Sequence, residues 1–125
     1  MSQQTSQHDW FADCAENYVA YLFARLDDYA IYGSGKWEAD VVINKRNSNK
    51  WLRIEVRSTD SKPHPIRKKP NKMINKTDIL AEVTLKNGNI NVTINKLTGG
   101  KKLEHPSRLL NPSKEEIATW LERYF

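Results

Sequence analysis

Apolar residues recur every three to four positions near the start of the chain and again near its end. The first pattern predicts a helix over residues 9–28, with apolar positions at Phe11, Cys14, Ala15, Tyr18, Val19, Leu22 and Leu26. The second predicts a helix over residues 112–124, with Ser113 and Glu116 at capping-box spacing and a core face of Ile117, Trp120, Leu121 and Tyr124. We expect residues 1–8, which are polar, to form a flexible tail.

Between the helices, apolar and polar residues alternate, which predicts strands. The predicted strands cover residues 29–32, 37–43, 51–58, 79–85 and 89–94. Asn87-Gly88 is a strong signal for a two-residue hairpin turn between the last two strands. Pairing about that turn matches apolar residues with one another: Leu85 with Ile90, Val83 with Val92 and Ala81 with Ile94. We interpret residues 99–102, which begin with two glycines, as a loop.

Together these elements predict one α/β domain over residues 1–125, with a mixed central sheet, an N-terminal helix and a C-terminal helix. A length of 125 residues suits a single domain. No apolar run approaches the roughly 20 residues of a membrane span, and the first residues form no apolar leader. The single cysteine, Cys14, argues against a disulfide framework or a Cys-based zinc site, and we expect it in the core. These features predict a cytoplasmic protein without a membrane partner.

The strands at 37–43 and 51–58 have a self-consistent register as a hairpin centred on Asn47-Ser48. One face then pairs only apolar residues: Ile43 with Leu52, Val41 with Ile54 and Ala39 with Val56. The other face pairs Val42 with Arg53, Asp40 with Glu55 and Glu38 with Arg57. Two facing carboxylates destabilise a sheet unless a cation compensates for them. That cation is either an arginine of the same face, which makes a structural salt-bridge layer, or a divalent ion bound by carboxylate oxygens.

Positive charge is concentrated in the middle of the chain. The net charge is +5, and residues 36–77 carry twelve Lys and Arg against four Asp and Glu, whereas residues 1–35 carry one against five. Prolines interrupt residues 60–77, so we predict an irregular basic segment there, with Arg67, Lys68, Lys69, Lys72 and Lys76 as contacts to nucleic acid. The alternative is a solvated lysine-rich surface. We interpret the four tryptophans as core or boundary residues, with Trp37 and Trp51 as candidates for stacking on a base.

The arrangement of Asp40 on one strand and Glu55-Val56-Arg57 on the next resembles the motif of the PD-(D/E)XK nuclease superfamily. The preceding helix with Glu16, the three strands after it and the later strand near residues 78–85 are similar to the core of that superfamily. Residues 33–36, Gly-Ser-Gly-Lys, are similar to a loop of archaeal Holliday-junction resolvases. The resemblance implies a restriction-endonuclease-like fold and a metal-dependent endonuclease that hydrolyses phosphodiester bonds, in DNA more than in RNA.

Carried over by position, the resemblance also implies roles for single residues. Asp40 and Glu55 would bind Mg²⁺ or Mn²⁺ through their carboxylates, Val56 through its carbonyl oxygen, and Glu16 directly or through water. Arg57 stands where the superfamily usually has lysine and completes the catalytic set. Ser34 and Lys36 would contact phosphate.

Two departures from the superfamily keep other functions open. Arginine holds its proton too tightly to act as a base, and the helix usual between the third and fourth strands falls on the proline-interrupted segment. A catalytically degenerate nucleic-acid-binding protein on the same scaffold is one alternative, and a small regulator that binds a protein partner is another. On sequence alone Glu16 is better explained as an ordinary surface charge of a helix, and only the resemblance gives it a role as a ligand. A homodimer would suit a two-fold symmetric duplex substrate, although no sequence feature indicates one.

Overall fold

The computed structural model describes residues 7–33, 40–60, 77–98, 101–102 and 108–125. These residues include two helices, α1 (Gln7–Ala24) and α2 (Lys114–Tyr124). The described strands are β1 (Tyr29–Tyr32), β2 (Val41–Lys45), β3 (Trp51–Asp60), β4 (Ile79–Lys86), β5 (Asn89–Thr98), β6 (Lys101–Lys102) and β7 (Arg108–Leu110). Within these ranges, no helix has the length and apolar character needed to cross a membrane.

The strands form a mixed sheet in the order β1-β2-β3-β4-β5, with β6 and β7 on the outer side of β5. The first three strands make an antiparallel meander, β4 runs parallel to β3, and β5 returns antiparallel to β4. The predicted α/β class, mixed sheet and terminal helices are therefore confirmed.

Parallel neighbours cannot be joined by a tight turn, so the chain between β3 and β4 is long. Its residues 61–76 lie outside the described ranges, whereas Asp60, predicted to be irregular, ends β3.

Both predicted hairpin registers are confirmed. β2 pairs with β3 through Val41 with Ile54 and Ile43 with Leu52, and β4 pairs with β5 in the predicted apolar register. The turn after β4 has φ of 52° at Asn87 and 77° at Gly88. Asn and Gly tolerate this left-handed backbone best, which explains why these two residues form the turn.

The two faces of the sheet have different surroundings. Both helices pack on one face, the core face, where Ile43, Ile54, Ile79, Val83, Val92 and Ile94 of the sheet meet Val19 and Phe23 of α1 and Ile117 and Leu121 of α2. Each large apolar side chain buried there stabilises the fold by about 1.5–3 kcal/mol. Since strand residues alternate, Val42, Glu55 and Leu80 point to the opposite face, which we call the second face. These three residues are also buried.

The predicted position of Cys14 in the core is wrong, because Cys14 is exposed. The buried residues of α1 are Ala15, Val19, Leu22 and Phe23, and Leu26 just after the helix is buried as well. Cys14 lies in a row with Tyr18 and Tyr21 along the margin of these buried residues, and Tyr21 is 58% exposed. The apolar residues of α1 cover a wider part of the helix surface than the part that packs on the sheet, so Cys14 and Tyr21 at the margin stay exposed.

Smaller differences concern the element ends. The first helix runs from residue 7 to residue 24 and not to residue 28, and β2 continues to Lys45. Lys101 and Lys102 were expected in a loop and instead pair with the end of β5. The predicted capping box is confirmed, since Ser113 Oγ accepts from the Glu116 N–H and Glu116 Oε1 accepts from the Ser113 N–H.

Candidate functional site

Asp40 lies at the entrance to β2, immediately before the first residue of that strand. The confirmed register places it opposite Glu55, but the ladder itself ends at Val41 with Ile54. The Asp40 carboxylate instead accepts a hydrogen bond from the backbone N–H of Val56, with 2.8 Å between Oδ2 and N. The carboxylate therefore takes the place of the backbone carbonyl that would accept this bond if the β2–β3 ladder were longer. This bond holds Asp40 beside the predicted motif Glu55-Val56-Arg57.

A second aspartate makes a similar contact on the other side of β3. Asp78 precedes β4, and its Oδ2 accepts from the Arg53 N–H at 2.8 Å while its own N–H donates to the Arg53 carbonyl at 3.0 Å. Sequence reasoning missed this role of Asp78. The available signal was an aspartate directly ahead of a predicted strand. The two aspartates together fix β3 between the starts of β2 and β4.

Glu55 is the buried acidic residue of the candidate site, with only 1% of its surface exposed. It lies on the second face, where the parallel ladder places it next to Leu80. Acidic side chains are almost never fully buried unless polar or charged groups compensate for the lost solvation. Packing alone would favour an apolar residue at this position, since the neighbouring Leu80 on the same face is apolar and buried. Packing therefore does not explain the buried glutamate at position 55, which makes Glu55 a candidate functional residue.

Polar residues continue across the second face from Glu55. The ladders place Arg57 beside Glu82 and place Leu80 beside Asn95. Asn95 is 3% exposed, and its Nδ2 donates to the Leu80 carbonyl at 3.3 Å and to Glu82 Oε1 at 3.2 Å. The polar row thus runs from β3 to β5. The confirmed β4–β5 register already implies this alignment, but the sequence analysis considered only the apolar pairs of that hairpin.

Glu16 occupies a different place from the other predicted ligands. It is half-buried on α1, which packs on the core face, whereas Glu55 points to the second face. Among the described residues, no three His, Cys, Asp or Glu side chains come together in a way that could hold a metal ion. The structure therefore brings Asp40 to the Glu55-Val56-Arg57 segment and does not add Glu16 as a third acidic ligand of a cluster.

The remaining donor set is chemically suited to a hard divalent cation. The carboxylates of Asp40 and Glu55 offer oxygen ligands, which Mg²⁺ and Mn²⁺ prefer. The N–H and the C=O of one strand residue point to the same side of the strand. The Val56 N–H bonds to Asp40, so the Val56 carbonyl also points towards Asp40. Mg²⁺ commonly binds through one or two carboxylates and keeps several waters. This set fits such a partly hydrated ion.

Several predicted contacts fall outside the described residues. One is the pair of Glu38 with Arg57, since Glu38 is not described. The others are the predicted nucleic-acid contacts Ser34 and Lys36 ahead of β2, and Arg67, Lys68, Lys69, Lys72 and Lys76 between β3 and β4. Their roles in contacting nucleic acid stay predictions. The sequence and the structure of the chain were also compared with known proteins. No family model, curated protein or solved structure matches.

Proposed function

We propose that the protein is a metal-dependent nuclease that hydrolyses phosphodiester bonds, in DNA more than in RNA. The observation that carries the proposal is the hydrogen bond from the Val56 N–H to Asp40, which sets an aspartate beside a buried glutamate on the neighbouring strand. The chain order of a helix, three strands and a later strand supports it, because the resemblance to the PD-(D/E)XK superfamily implies that order.

In this proposal the chain holds Mg²⁺ or Mn²⁺ through Asp40, Glu55 and the carbonyl of Val56. The bound ion would neutralise the phosphate and lower the pKa of an attacking water. Arg57, two residues beyond Glu55 on the same face, holds the phosphate through its guanidinium fork and keeps its charge throughout. The proposal gives Glu16 no role at the ion, because α1 lies on the opposite side of the sheet from the Glu55 side chain. Ser34 and Lys36 contact the flanking phosphates.

A second candidate is a nucleic-acid-binding protein that has the same scaffold and does not cleave. Three observations favour it. Glu55 is almost completely shielded from solvent, and a carboxylate that holds a metal at a scissile phosphate must be reachable from outside. The described carboxylates also include no group of three, and arginine replaces the usual lysine.

Cleavage assays with matched variants separate the two candidates. Labelled single-stranded, duplex and branched DNA and single-stranded RNA are incubated with the protein in Mg²⁺, in Mn²⁺ and in EDTA. We expect cleavage in the divalent ions and at least a hundredfold loss for Glu55→Gln, because the amide removes a ligand charge and keeps the volume. Glu115→Gln changes an exposed glutamate of α2 and is the control, with activity like the wild type.

Each result decides between the candidates. Wild-type protein that binds DNA but cleaves none of these substrates contradicts the nuclease and supports the binding protein. In that case Arg57→Lys, which restores the usual residue, is expected to introduce cleavage. In an active wild type, Arg57→Lys is expected to lower the rate, since an ammonium does not replace a bidentate fork. Cleavage by Glu55→Gln at the wild-type rate would remove this site from consideration.

A further inference from the structure

An aromatic pair lies on the second face at the start of β3. The rings of Tyr32 and Trp51 are 5.3 Å apart between centroids, with 35° between their planes. Trp51 is 39% exposed, and among the described large hydrophobic residues it is one of four with substantial exposure. The ring contact with Tyr32 restricts the orientation of Trp51, so the exposed part of Trp51 loses less side-chain entropy when a ligand binds it.

The charged residues of the β2–β3 hairpin, which carries Trp51, are all cationic. From Val41 to Ile54 the chain has Lys45, Arg46, Lys50 and Arg53 and no carboxylate. Arg46 is partly engaged, because its Nε donates to the Asp27 carbonyl at 2.9 Å. Lys45 and Lys50 are held opposite each other by the bond from the Lys45 N–H to the Lys50 carbonyl. Burial first, and then the neighbouring Lys45, lowers the pKa of Lys50, so a bound anion at this end would relieve repulsion between them.

The same strand face links the aromatic pair to the candidate active site. Trp51, Arg53, Glu55 and Arg57 follow one another at every second residue of β3 and so project to the second face. Arg53 is about 7 Å and Glu55 about 13 Å from Trp51 along the strand. A nucleic-acid chain that reaches Glu55 along β3 therefore passes a cation and then an aromatic ring.

We propose that Tyr32 and Trp51 form a stacking platform for an unpaired nucleotide, with Arg53 contacting its phosphate. This inference rests on the proposed function only in taking the ligand to be nucleic acid. The commitment to an unpaired nucleotide follows from the chemistry. A ring that projects from a sheet stacks on a base only when that base has left its duplex stack, and such contacts are typical of single-strand-binding grooves. The predicted ligand is thus single-stranded nucleic acid, or the unpaired end or branch of a duplex.

Binding without divalent ions tests this platform separately from cleavage. Fluorescence anisotropy in EDTA compares a labelled 15-nucleotide dT strand with a blunt duplex of the same length. We expect Trp51→Ala to weaken single-strand binding about tenfold to a hundredfold, to change duplex binding less than threefold, and to be largely rescued in Trp51→Phe. Arg53→Gln is expected to flatten the salt dependence of single-strand binding by about 0.7 in slope. Tyr21→Ala removes an even more exposed aromatic ring from α1 and is the matched control, with unchanged affinity.

The outcomes separate this inference from the proposed function. Trp51→Ala protein that is folded by circular dichroism and binds the single strand like the wild type overturns the platform, whether or not the wild type cleaves. Equal losses on the strand and on the duplex also overturn it, because they would indicate a general phosphate surface. Wild-type protein that binds neither substrate overturns it as well. Selective loss in Trp51→Ala supports the platform even if no cleavage is found, in which case only the nuclease proposal fails.

Discussion

At the scale of single residues, Asp40 has a structural role and, in the proposed function, a second role as a metal ligand. Its carboxylate completes the hydrogen bonding of β3 at Val56, and it stands beside Glu55 where a cation would bind. A carboxylate has two oxygens and about four acceptor sites, so one N–H bond does not use up its capacity. The structural bond orients the side chain, and the charge is the part that metal binding requires.

Two substitutions at position 40 are expected to separate these functions. Asp40→Asn keeps an oxygen that can accept from the Val56 N–H, so we expect a free energy of unfolding within about 0.5 kcal/mol of the wild type. Asp40→Ala leaves that N–H without this acceptor beside a buried residue and is expected to cost about 1–3 kcal/mol. Urea unfolding measures both, and Asp27→Ala, at an exposed aspartate, is the neutral control.

The two variants are expected to agree in a second measurement. Both remove the negative charge, so both are expected to weaken Mn²⁺ binding, followed by calorimetry, by at least tenfold. Loss of stability in Asp40→Asn as large as in Asp40→Ala would contradict the assigned hydrogen bond. Unchanged Mn²⁺ binding in both variants would contradict the assignment of Asp40 as a ligand.

At the scale of elements, turn chemistry and side-chain capping determine where strands begin and end. Asn111 is an example beyond Asp40 and Asp78, since its N–H donates to the Val92 carbonyl and its Oδ1 accepts from the Val92 N–H, both at 2.7 Å. It thereby extends the β5–β7 ladder before the chain enters α2. Its backbone has a φ of 43°, which asparagine tolerates better than most residues.

The β4–β5 turn gives a prediction about backbone conformation alone. A Cβ added at Gly88 or at Gly33 would meet no atom within 4 Å, but only Gly88 of the two has a left-handed φ, of 77°. We therefore expect Gly88→Ala to lower the free energy of unfolding by about 1–2 kcal/mol and Gly33→Ala to leave it nearly unchanged. Thermal and urea unfolding of both variants check this difference. Equal effects would show that the turn conformation is not what Gly88 provides.

At the scale of the whole molecule, charge is distributed unevenly along the chain. The middle third, residues 36–77, carries the positive excess, while the first third is acidic. Its described part includes the cationic hairpin, and the connection between β3 and β4 carries five further basic residues from Arg67 to Lys76. In the sequence, positive charge is therefore concentrated both before and after the stretch that forms most of β3.

Salt dependence is expected to reveal how much of this charge contacts phosphate. Neutralising Arg67, Lys68 and Lys69 together with glutamine should reduce the slope of log K against log salt for duplex DNA by roughly 2–3 units. The control neutralises three cations of the remaining chain, Lys86, Lys114 and Arg123, and should leave the slope almost unchanged. An unchanged slope in the first triple variant would exclude these residues from the interface.

The candidate site could be predicted from the sequence only in outline. Alternation and the turn position were sufficient to place Asp40 opposite Glu55, because one wrong register would have exposed an entire apolar face. The sequence did not reveal that Asp40 bonds to the backbone of Val56, since a side-chain cap leaves no periodic signal. The burial of Glu55 and the polar row that extends from it to Glu82 and Asn95 depend on the pairing of β3 with β4 and of β4 with β5.

The sequence by itself determined the hairpin turns, the two amphipathic helices and the residues that share each strand face. These properties depend on neighbours within a few positions, where periodicity and turn preference act directly. Only the tertiary structure decided that β4 lies parallel to β3, that both helices cover the same face, and that Cys14 lies outside the core. Periodicity shows which side chains point the same way, but what covers them depends on how distant elements pack together.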